Sequence, residues 1–297
     1  MHQAILITAY KNISHLIDFV NIFRSYDNFH FYIHIDKKSD IDQSEIHNLN
    51  ACNNIKLISR EYVVNWGGIN HLKAILLLAN EAIKDKRIEY VHAVSGQDFP
   101  VKTGTEITSY LTNNKGKEFI VNFELPFHDW PGGGINRVVH YNLYDTFDAS
   151  SRFQRKIIKL ISLVQEKLNI KRALPAGSPK LYGGGTWWTL SKPCLEYVFD
   201  YLEQHPQYLK AFNYTFCSEE IFFHTIVLNS PFRENVVNDD LRYIIWELRN
   251  GSRPANLDDS DYEPIMSSNK IFARKFGTSS SQKLLQDFKQ HLSSSND

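Results

Sequence analysis

The stretch AILITAYKNISHLIDFVNIFRSYDNFHFYIHID, residues 4–36, passes from a strand-like run to a helix-like run and back to a strand-like run. The alternation continues to about residue 125, through the runs IKLIS, INHLKAILLLANEAIKD, YVHAVSG, EITSYLTNN and EFIVNFE. Strands that alternate with helices indicate βαβ units. We therefore expect an α/β fold with a Rossmann-like, mainly parallel central sheet that carries helices on both faces.

Composition excludes several classes of protein. Lys plus Arg and Asp plus Glu each number 33, so the formal charge is zero and no overall field attracts nucleic acid. The three cysteines, Cys52, Cys194 and Cys217, fit neither a disulfide framework nor a zinc pattern, as expected in a reducing compartment. No apolar run approaches the 18 or so residues of a membrane span. We expect a cytoplasmic protein.

Uncommon residues fall at the predicted strand ends. Ala9 and Tyr10 follow the first strand, Asp36 follows the second, and Asp98 lies just beyond YVHAV. Ligands of such sheets bind at the carboxyl ends of the strands, so the clustering suggests a nucleotide-type cleft. The alternative is that Asp, Ser, Gly and Pro here only build turns.

Several familiar sites are missing from the sequence. It contains no GxxxxGK phosphate loop, no GxGxxG after the first strand, no GxSxG elbow and no HExxH. His30 and His34 have a metal-like spacing, but their strand context and the lack of a third ligand favour packing roles. We predict no metal site.

The stretch YTFCSEEIFFHTIVLNS, residues 214–230, places Glu219 and Glu220 at the head of an otherwise apolar helix. Ser218 suits the N-cap, and the helix dipole favours carboxylates in the first turn, so capping alone could explain both. Yet the start of so apolar a helix lies buried or on a cleft floor, where carboxylates need partners. His224 lies one turn beyond Glu220 on the same face. Glu220 is thus also a candidate base that accepts a proton from a hydroxyl.

A phosphate leaving group would need neutralising, either by a metal or by Lys and Arg. The candidate cations are Arg249, Arg253, Arg274 and Lys275. The triplet DSD, with Asp259 and Asp261, imitates the DxD that binds a metal-nucleotide. Ser260 and Glu263 also have the spacing of a capping box, which we prefer.

Three further segments stand out. The loop 127–150 is long and rich in aromatic residues and glycine, as binding loops often are. Next, residues 152–172 place apolar side chains on one helical face beside seven basic residues and one acid, so this helix either packs on the core or lies on an anionic membrane surface. The polar, Ser-rich residues 278–297 suggest a tail after a single domain that spans 1–277.

Adjacent tryptophans in TWWTLSK, Trp187 and Trp188, point opposite ways on a strand. At most one of them therefore faces the core, and the other can stack on a sugar. The alternative is that both belong to the core.

Six motifs carry a family resemblance, and they occur in the order YVVNWGGINHLKA, YVHAVSGQDFPVKT, LYGGGTWWTLSK, YTFCSEEIFFHTIVLNS, NDDLRYIIW and IFARKFG. They resemble the bacterial branch of glycosyltransferase family 14, which holds core-2/I-branching N-acetylglucosaminyltransferases and peptide xylosyltransferases. The match extends from about Ile5 to Gly277. It implies a GT-A-like fold, a UDP-sugar donor, and inversion by direct displacement without a metal.

The resemblance also implies roles for single residues. The position of the family's catalytic base is similar to Glu220, with Glu219 replacing an Asp and Ser218 a Pro. A lysine that contacts the UDP diphosphate falls on Lys275, beside Arg274. The family's second diphosphate cation matches Arg253 best.

Arg249 is the alternative for that second cation. On the nucleotide side, the resemblance places Asp98 and Asp36, with Ala9 and Tyr10 at the adjoining strand end.

Acceptor choice is expected in the loop 127–150 and around the tryptophans. The residues concerned are Arg137, His140, Tyr141, Trp187, Trp188 and Glu219. The sequence lacks the membrane anchor and disulfides of the animal enzymes, which suggests a cytoplasmic bacterial enzyme. We expect N-acetylglucosamine or, alternatively, xylose to be transferred to a surface glycan or glycolipid, with peripheral membrane contact through 152–172. A non-catalytic binding protein and a metal-dependent transferase are the rival interpretations.

Overall fold

A computed structural model describes residues 1–174, 177–277 and 279–294. The strands are β1 (His2–Ala9), β2 (Phe29–Ile35), β3 (Ile55–Ser59), β4 (Ile88–Ser95), β5 (Asp98–Pro100), β6 (Glu118–Ile120), β7 (Phe123–Glu124), β8 (Tyr182–Gly183), β9 (Trp188–Ser191), β10 (Val236–Val237), β11 (Arg242–Ile244) and β12 (Phe272–Arg274). The helices are α1 (Ile13–Ile22), α2 (Gln43–Asn50), α3 (Ile69–Ile83), α4 (Gly104–Asn113), α5 (Asn136–Val139), α6 (Arg152–Lys167), α7 (Lys192–Gln204), α8 (Pro206–Ala211), α9 (Glu219–Leu228), α10 (Tyr262–Met266) and α11 (Gln282–Ser294).

The central sheet has seven strands within the described ranges, in the order β10-β6-β9-β4-β1-β2-β3. The pairs β4 with β1, β1 with β2, β2 with β3 and β10 with β6 are parallel, whereas β9 runs antiparallel to both β4 and β6. In register, Thr8 of β1 lies between His34 of β2 and Ser95 of β4. The carboxyl ends of these three strands therefore meet at one edge of the sheet.

Apolar side chains on both sides of β1 hold helices against both faces of the sheet. Ile5 and Ile7 join a core that includes residues of α1, α4 and α11, whereas Ala4 and Leu6 join a second core with α3, α7 and α9. Because both faces of the sheet are covered, the sequences of β1 and β2 are almost continuously apolar. The predicted α/β fold with a mainly parallel sheet and helices on both faces is confirmed.

The predicted end of the compact domain at Gly277 is wrong. Residues Gln282–Ser294 form α11, and Leu284, Phe288 and Leu292 of this helix are fully buried in the core beside α1. Their spacing of four residues gives one apolar helical face, which the surrounding serines and glutamines obscured. Thr278 and residues 295–297 of the predicted tail lie outside the described residues.

Helix α6 turns much of its apolar stripe to solvent. Ile158 is buried, but Phe153, Leu160 and Leu163 are exposed. One of the two roles left open for this helix was to pack its apolar stripe on the core. That prediction is wrong for most of the stripe. None of the helices in the described part of the chain combines the length and apolar character that crossing a lipid bilayer requires.

Phe288→Ala should destabilise the protein by about 3–5 kcal/mol, because it empties a fully buried site where the ring packs against Tyr262. Urea unfolding followed by circular dichroism measures the change. The exposed Gln290→Ala on the same helix is the control, with an expected change within about 0.5 kcal/mol. Equal stability of the two variants would mean that α11 is not part of the folded core.

Candidate active site

The site lies at the edge where the parallel strands end. The Asp36 N–H donates to the carbonyl of Ala9 at 2.8 Å, and the Gly96 N–H donates to that of Thr8 at 2.9 Å. These bonds join the chain leaving β1, β2 and β4 into one surface. Tyr10 stands exposed at its rim.

The two predicted nucleotide-side aspartates are both used within the protein. Asp36 Oδ1 accepts from the backbone N–H groups of Lys38, at 3.1 Å, and Val64, at 3.0 Å. Asp98 is fully buried, accepts from the Ser95 N–H, and lies 3.5 Å from Arg274 Nη1. They shape the strand-end loops and orient Arg274.

The first of the paired glutamates is held by a histidine of α3. His71 Nδ1 lies 3.0 Å from Glu219 Oε1, and the other ring nitrogen lies 3.0 Å from Thr8 Oγ1. Burial lowers the pKa of His71, but the charge of Glu219 and the hydrogen bond to it outweigh burial and leave that pKa raised. Glu219 thus has a hydrogen-bond partner in His71, while its buried Oε2 has none among the described residues.

The second glutamate is held by an arginine from the 127–150 loop. Arg137 Nη1 donates to Glu220 Oε2 at 2.5 Å. The Glu220 side chain is 24% exposed, so it remains open to a ligand. Burial, followed by the charge of Glu219, raises the pKa of Glu220 to about 7, although Arg137 acts in the opposite direction. This carboxyl changes its charge near neutral pH.

Aromatic rings fix the position of Arg137. Its guanidinium lies 3.5 Å from the centre of the Trp130 ring and 5.3 Å from that of Phe216. The Phe216 N–H also donates to the Arg137 carbonyl at 2.9 Å. A side chain at Gly67, where φ is +85°, would meet the Phe216 ring at 2.6 Å, so glycine is required there.

The start of α9 differs from the expected N-cap. Ser218 has helical backbone angles and its side chain makes no capping bond. Instead, the Gly184 N–H donates to the Glu220 carbonyl at 2.9 Å. A Cβ on Gly184 would lie 1.9 Å from the Val121 carbonyl oxygen, so only glycine permits this approach. Glu220 is therefore fixed through its backbone as well as its side chain.

His224 does not hold Glu220, although both occupy one face of α9. The ring is fully buried and packs where a Gly184 side chain would lie. Burial lowers the pKa of His224 to about 3, which leaves the ring neutral. Its role is packing.

Positive charge gathers beside the strand ends. Lys275 Nζ donates to Ser252 Oγ at 3.0 Å, and no acidic partner of Lys275 lies among the described residues. Burial lowers the pKa of Lys275, and the charges of Arg274 and Lys11 lower it further. Cations that crowd one another in this way favour an anionic ligand.

The two other candidate arginines differ. Arg249 pairs with Asp261 and lies 3.8 Å from Asp258, so it is already neutralised. Arg253 is exposed and donates to the Trp246 carbonyl at 3.0 Å. Of the two arginines, Arg253 is the one that has no acidic partner among the described residues, so its charge is available to a ligand.

The DSD triplet serves structure. Asp258 and Asp261 form a capping box, two residues before the predicted pair of Ser260 and Glu263. Asp259 pairs with Lys283 of α11 at 2.9 Å. Both aspartates of the triplet are therefore committed to protein contacts.

Both tryptophans are buried, as in the alternative interpretation, and neither presents the free face expected for stacking on a sugar. Trp188 is fully buried against Phe223, which removes it from the acceptor side. Trp187 is also buried, with the Arg274 guanidinium 3.8 Å from its ring centre and Trp246 at 6.5 Å. Trp187 thus helps to position a cation.

The remaining predicted acceptor residues separate. His140 is buried, whereas Tyr141 is exposed and contacts Tyr214, at 5.4 Å between ring centres. Gln165 of α6 accepts from the Tyr141 N–H at 2.7 Å. Tyr141 therefore belongs to the surface of α6.

One group among the described residues has donor atoms close enough for a metal. Donor atoms of Cys217, Glu219 and Glu220 lie within 4.8 Å of one another. However, burial raises the pKa of the Cys217 thiol well above its usual range, and each carboxylate already has a partner, His71 for Glu219 and Arg137 for Glu220. This donor set fits a metal poorly as it stands.

Sequence reasoning missed His71, although the motif containing it was recognised. It is a titratable residue in the first turn of the largely apolar α3, a signal similar to the one that drew attention to Glu219 and Glu220. The sequence also gave no indication that Arg137 pairs with Glu220.

The sequence of this chain is similar to sequences of known proteins. The chain is 25% identical to rat xylosyltransferase 2 over 283 residues, which cover 88% of this chain and 30% of the relative. It is 24% identical to xylosyltransferase oxt of Drosophila melanogaster over 288 residues, with the same two coverages. The chain thus spans about 30% of the length of these curated relatives.

Among solved structures, S. aureus TarS 1-349 in complex with UDP matches with a TM-score of 0.32 and 15% identity, over 41% of this chain and 35% of that chain. The same protein with UDP-GlcNAc matches with a TM-score of 0.31 and 17% identity, over 41% and 34%. The model of the core-2/I-branching enzyme family matches residues 4–266, most of the chain. The chain therefore belongs to the core-2/I-branching enzyme family.

Proposed function

We propose that this protein is an inverting glycosyltransferase that moves a sugar from a UDP-sugar to a hydroxyl of a glycan acceptor. The observation that carries the proposal is the state of Glu220. It is a partly exposed carboxylate, fixed by Arg137 and by its own backbone, with its pKa raised to about 7. A general base is most effective when its pKa lies near the working pH.

The paired glutamates divide the work between them. Glu220 accepts the proton of the acceptor hydroxyl. Glu219 is tied to His71 through Oε1, and its unpartnered Oε2 supplies an acceptor for a second hydroxyl of the sugar. The negative charge of Glu219 also raises the pKa of Glu220, so it strengthens the base.

The reaction forms one bond and breaks one at the anomeric carbon, and it moves one proton. The acceptor oxygen attacks the anomeric carbon while its proton passes to Glu220. The bond from the anomeric carbon to the β-phosphate oxygen breaks, and UDP leaves with the electron pair. Attack opposite to the leaving group inverts the anomeric carbon.

Cations at the strand ends stabilise the departing UDP. Lys275 contacts the diphosphate, with Arg274 and Lys11 beside it and Arg253 as the further cation. Asp98 and Trp187 hold Arg274 in place. These residues supply positive charge without a metal, and metal independence is part of the proposal.

The finer identity of the substrates is also proposed. N-acetylglucosamine is our first choice of donor sugar, and xylose is the alternative in keeping with the names of the curated relatives. The acceptor is a glycan or glycolipid of a bacterial surface polysaccharide, made on the cytoplasmic side. A donor panel decides between the sugars.

Both rivals make different predictions. A metal-dependent transferase that uses Asp259 and Asp261 has less support, because both carboxylates are paired within the protein. It would lose activity in EDTA and regain it with manganese. A non-catalytic binding protein would bind UDP without releasing it from any donor.

Glu220→Gln should lower the rate of UDP release by about 10²–10⁴, because it removes the base. The assay measures UDP release in EDTA, with a panel of UDP-sugars and generic glycan acceptors. Glu263→Gln, at an exposed carboxylate, is the matched control and should leave the rate unchanged. Normal turnover by Glu220→Gln would rule out this residue as the base.

The pH profile of kcat/KM should rise with pH and level off above about 7, since the base must be ionised. Arg137→Gln removes a charge that lowers the pKa of Glu220, so the rise should move to higher pH by about one unit or more. Glu219→Gln removes a charge that raises it, so the rise should move to lower pH. Shifts in the same direction for both variants would contradict this assignment.

Lys275→Met should lower kcat/KM for the donor by about 10²–10³, the loss expected when one group that stabilises a developing charge is removed. Calorimetric titration should also show weaker binding of UDP. The exposed Lys86→Met is the control. Unchanged affinity for UDP in Lys275→Met would place the diphosphate elsewhere.

A further inference from the structure

Helix α6 presents a large apolar surface that nothing covers in the described part of the chain. Phe153 is 72% exposed and Leu168, just after the helix, is 67% exposed. Between them, Leu160, Leu163 and Val164 are also exposed. Such a row of large apolar residues is more than the scattered exposure that is normal on a protein surface.

The helix is anchored on its opposite side. Ile158 and Gln165 are its buried residues, and Gln165 exchanges two hydrogen bonds with the backbone of Tyr141, at 2.7 and 3.1 Å. Gln154 accepts from the Asp148 N–H at 2.5 Å, and Arg155 donates to the Ala149 carbonyl at 2.8 Å. The outward orientation of the apolar face is therefore built into the packing.

Basic residues lie on the same exposed face, among and beside the apolar side chains. Lys156 and Lys159 are exposed and precede Leu160 and Leu163 by one helical turn each. Residues 152–172 carry seven basic side chains and one acid, Glu166. The surface thus combines apolar residues with a local positive charge in a protein whose formal charge is zero.

Two exposed tyrosines lie close to the end of α6. Tyr141 and Tyr214 contact each other at 5.4 Å between ring centres, and Arg172 lies 6.0 Å from the centre of the Tyr214 ring. Amphipathic aromatic rings suit the boundary between water and lipid.

We propose that the exposed face of α6 docks on a membrane that contains anionic lipid. A helix that exposes apolar and basic side chains together lies in the plane of such a membrane, with its apolar side chains among the acyl chains and the long basic side chains reaching the headgroups. The basic residues are drawn to the negative surface potential.

The occupant is a membrane rather than a second copy of the chain, because two such surfaces brought face to face would set their basic residues against each other. A lipid surface also requires no shaped pocket, and the exposed row is convex along a helix. The basic charge and the convex apolar row together point to lipid.

A short path joins this surface to the candidate base. Gln165 binds Tyr141, and the side chain of the next residue, Asn142, donates to the Arg137 carbonyl at 2.9 Å. Arg137 in turn holds Glu220. Docking would therefore set the loop that carries Arg137 close to acceptors borne by the membrane, a consequence that rests on the proposed function.

The first test is co-sedimentation of the full chain with vesicles. The protein should bind vesicles of mixed phosphatidylglycerol and phosphatidylcholine at low salt, bind vesicles of pure phosphatidylcholine far less, and be released as salt screens the charges. No binding to the anionic vesicles at low salt would overturn the proposal.

Variants separate the two contributions. Lys156→Glu with Lys159→Glu should weaken binding by about 30-fold or more, from about fivefold for each basic residue near an anionic surface. Phe153→Ser with Leu160→Ser should also abolish most binding. Equal binding by either pair and by the parent protein would contradict docking through α6.

Matched controls lie elsewhere on the surface. Lys56→Glu with Lys86→Glu makes the same change of charge, and Leu248→Ser removes an apolar side chain that is 77% exposed. Both should bind vesicles like the parent protein. Circular dichroism verifies that every variant is folded.

Two further readouts identify other occupants and separate this proposal from the proposed function. A dimer in sedimentation velocity that is lost in Phe153→Ser with Leu160→Ser, without vesicle binding, would overturn docking in favour of a second copy. UDP release with a soluble acceptor should be unchanged in the α6 variants. Vesicle binding by a protein that releases no UDP would support docking while the proposed function fails.

Discussion

Two neighbouring carboxylates at the start of an apolar helix create the constraint around which the site is arranged. Glu219 and Glu220 are largely withdrawn from water, where like charges repel each other and hydration is lost. The chain supplies a separate basic partner to each, His71 from α3 and Arg137 from the 127–150 loop. Three segments that are far apart in the sequence, α3, the 127–150 loop and the start of α9, must therefore pack together. The contact of Trp130 with Arg137 holds the loop in this position.

The pairing is incomplete, and this is informative. Arg137 lowers the pKa of Glu220, yet burial and Glu219 together raise it to about 7, so the folded state disfavours the ionised form. The native protein then binds more protons than the unfolded chain between the ordinary pKa of a glutamate and about 7, and stability falls as pH rises through that interval. The reactivity proposed for Glu220 is thus obtained at the expense of folding stability, as is common in active sites.

The sequence predicts most of the framework because its signals there are local. The apolar runs of β1 and β2 identify buried parallel strands, and the apolar character of α9 makes Glu220 conspicuous. The contact of His71 with Glu219 spans 148 residues, and no local pattern encodes a contact at that range. The direction in which α6 presents its apolar residues is likewise undetermined, since periodicity defines a face without stating what lies opposite it.

The reversed strand β9 has a consequence for how the chain can be altered. Because β9 runs opposite to β4, the residues that enter it, including Trp187, lie at the edge with the carboxyl ends, while Ser191 leaves at the far edge. There Ser191 binds Glu118, and Lys192 donates to the Asp85 carbonyl at 3.2 Å. Insertions, affinity tags or new termini placed in the turn 84–87 would therefore be separated from the paired glutamates by the length of the central strands.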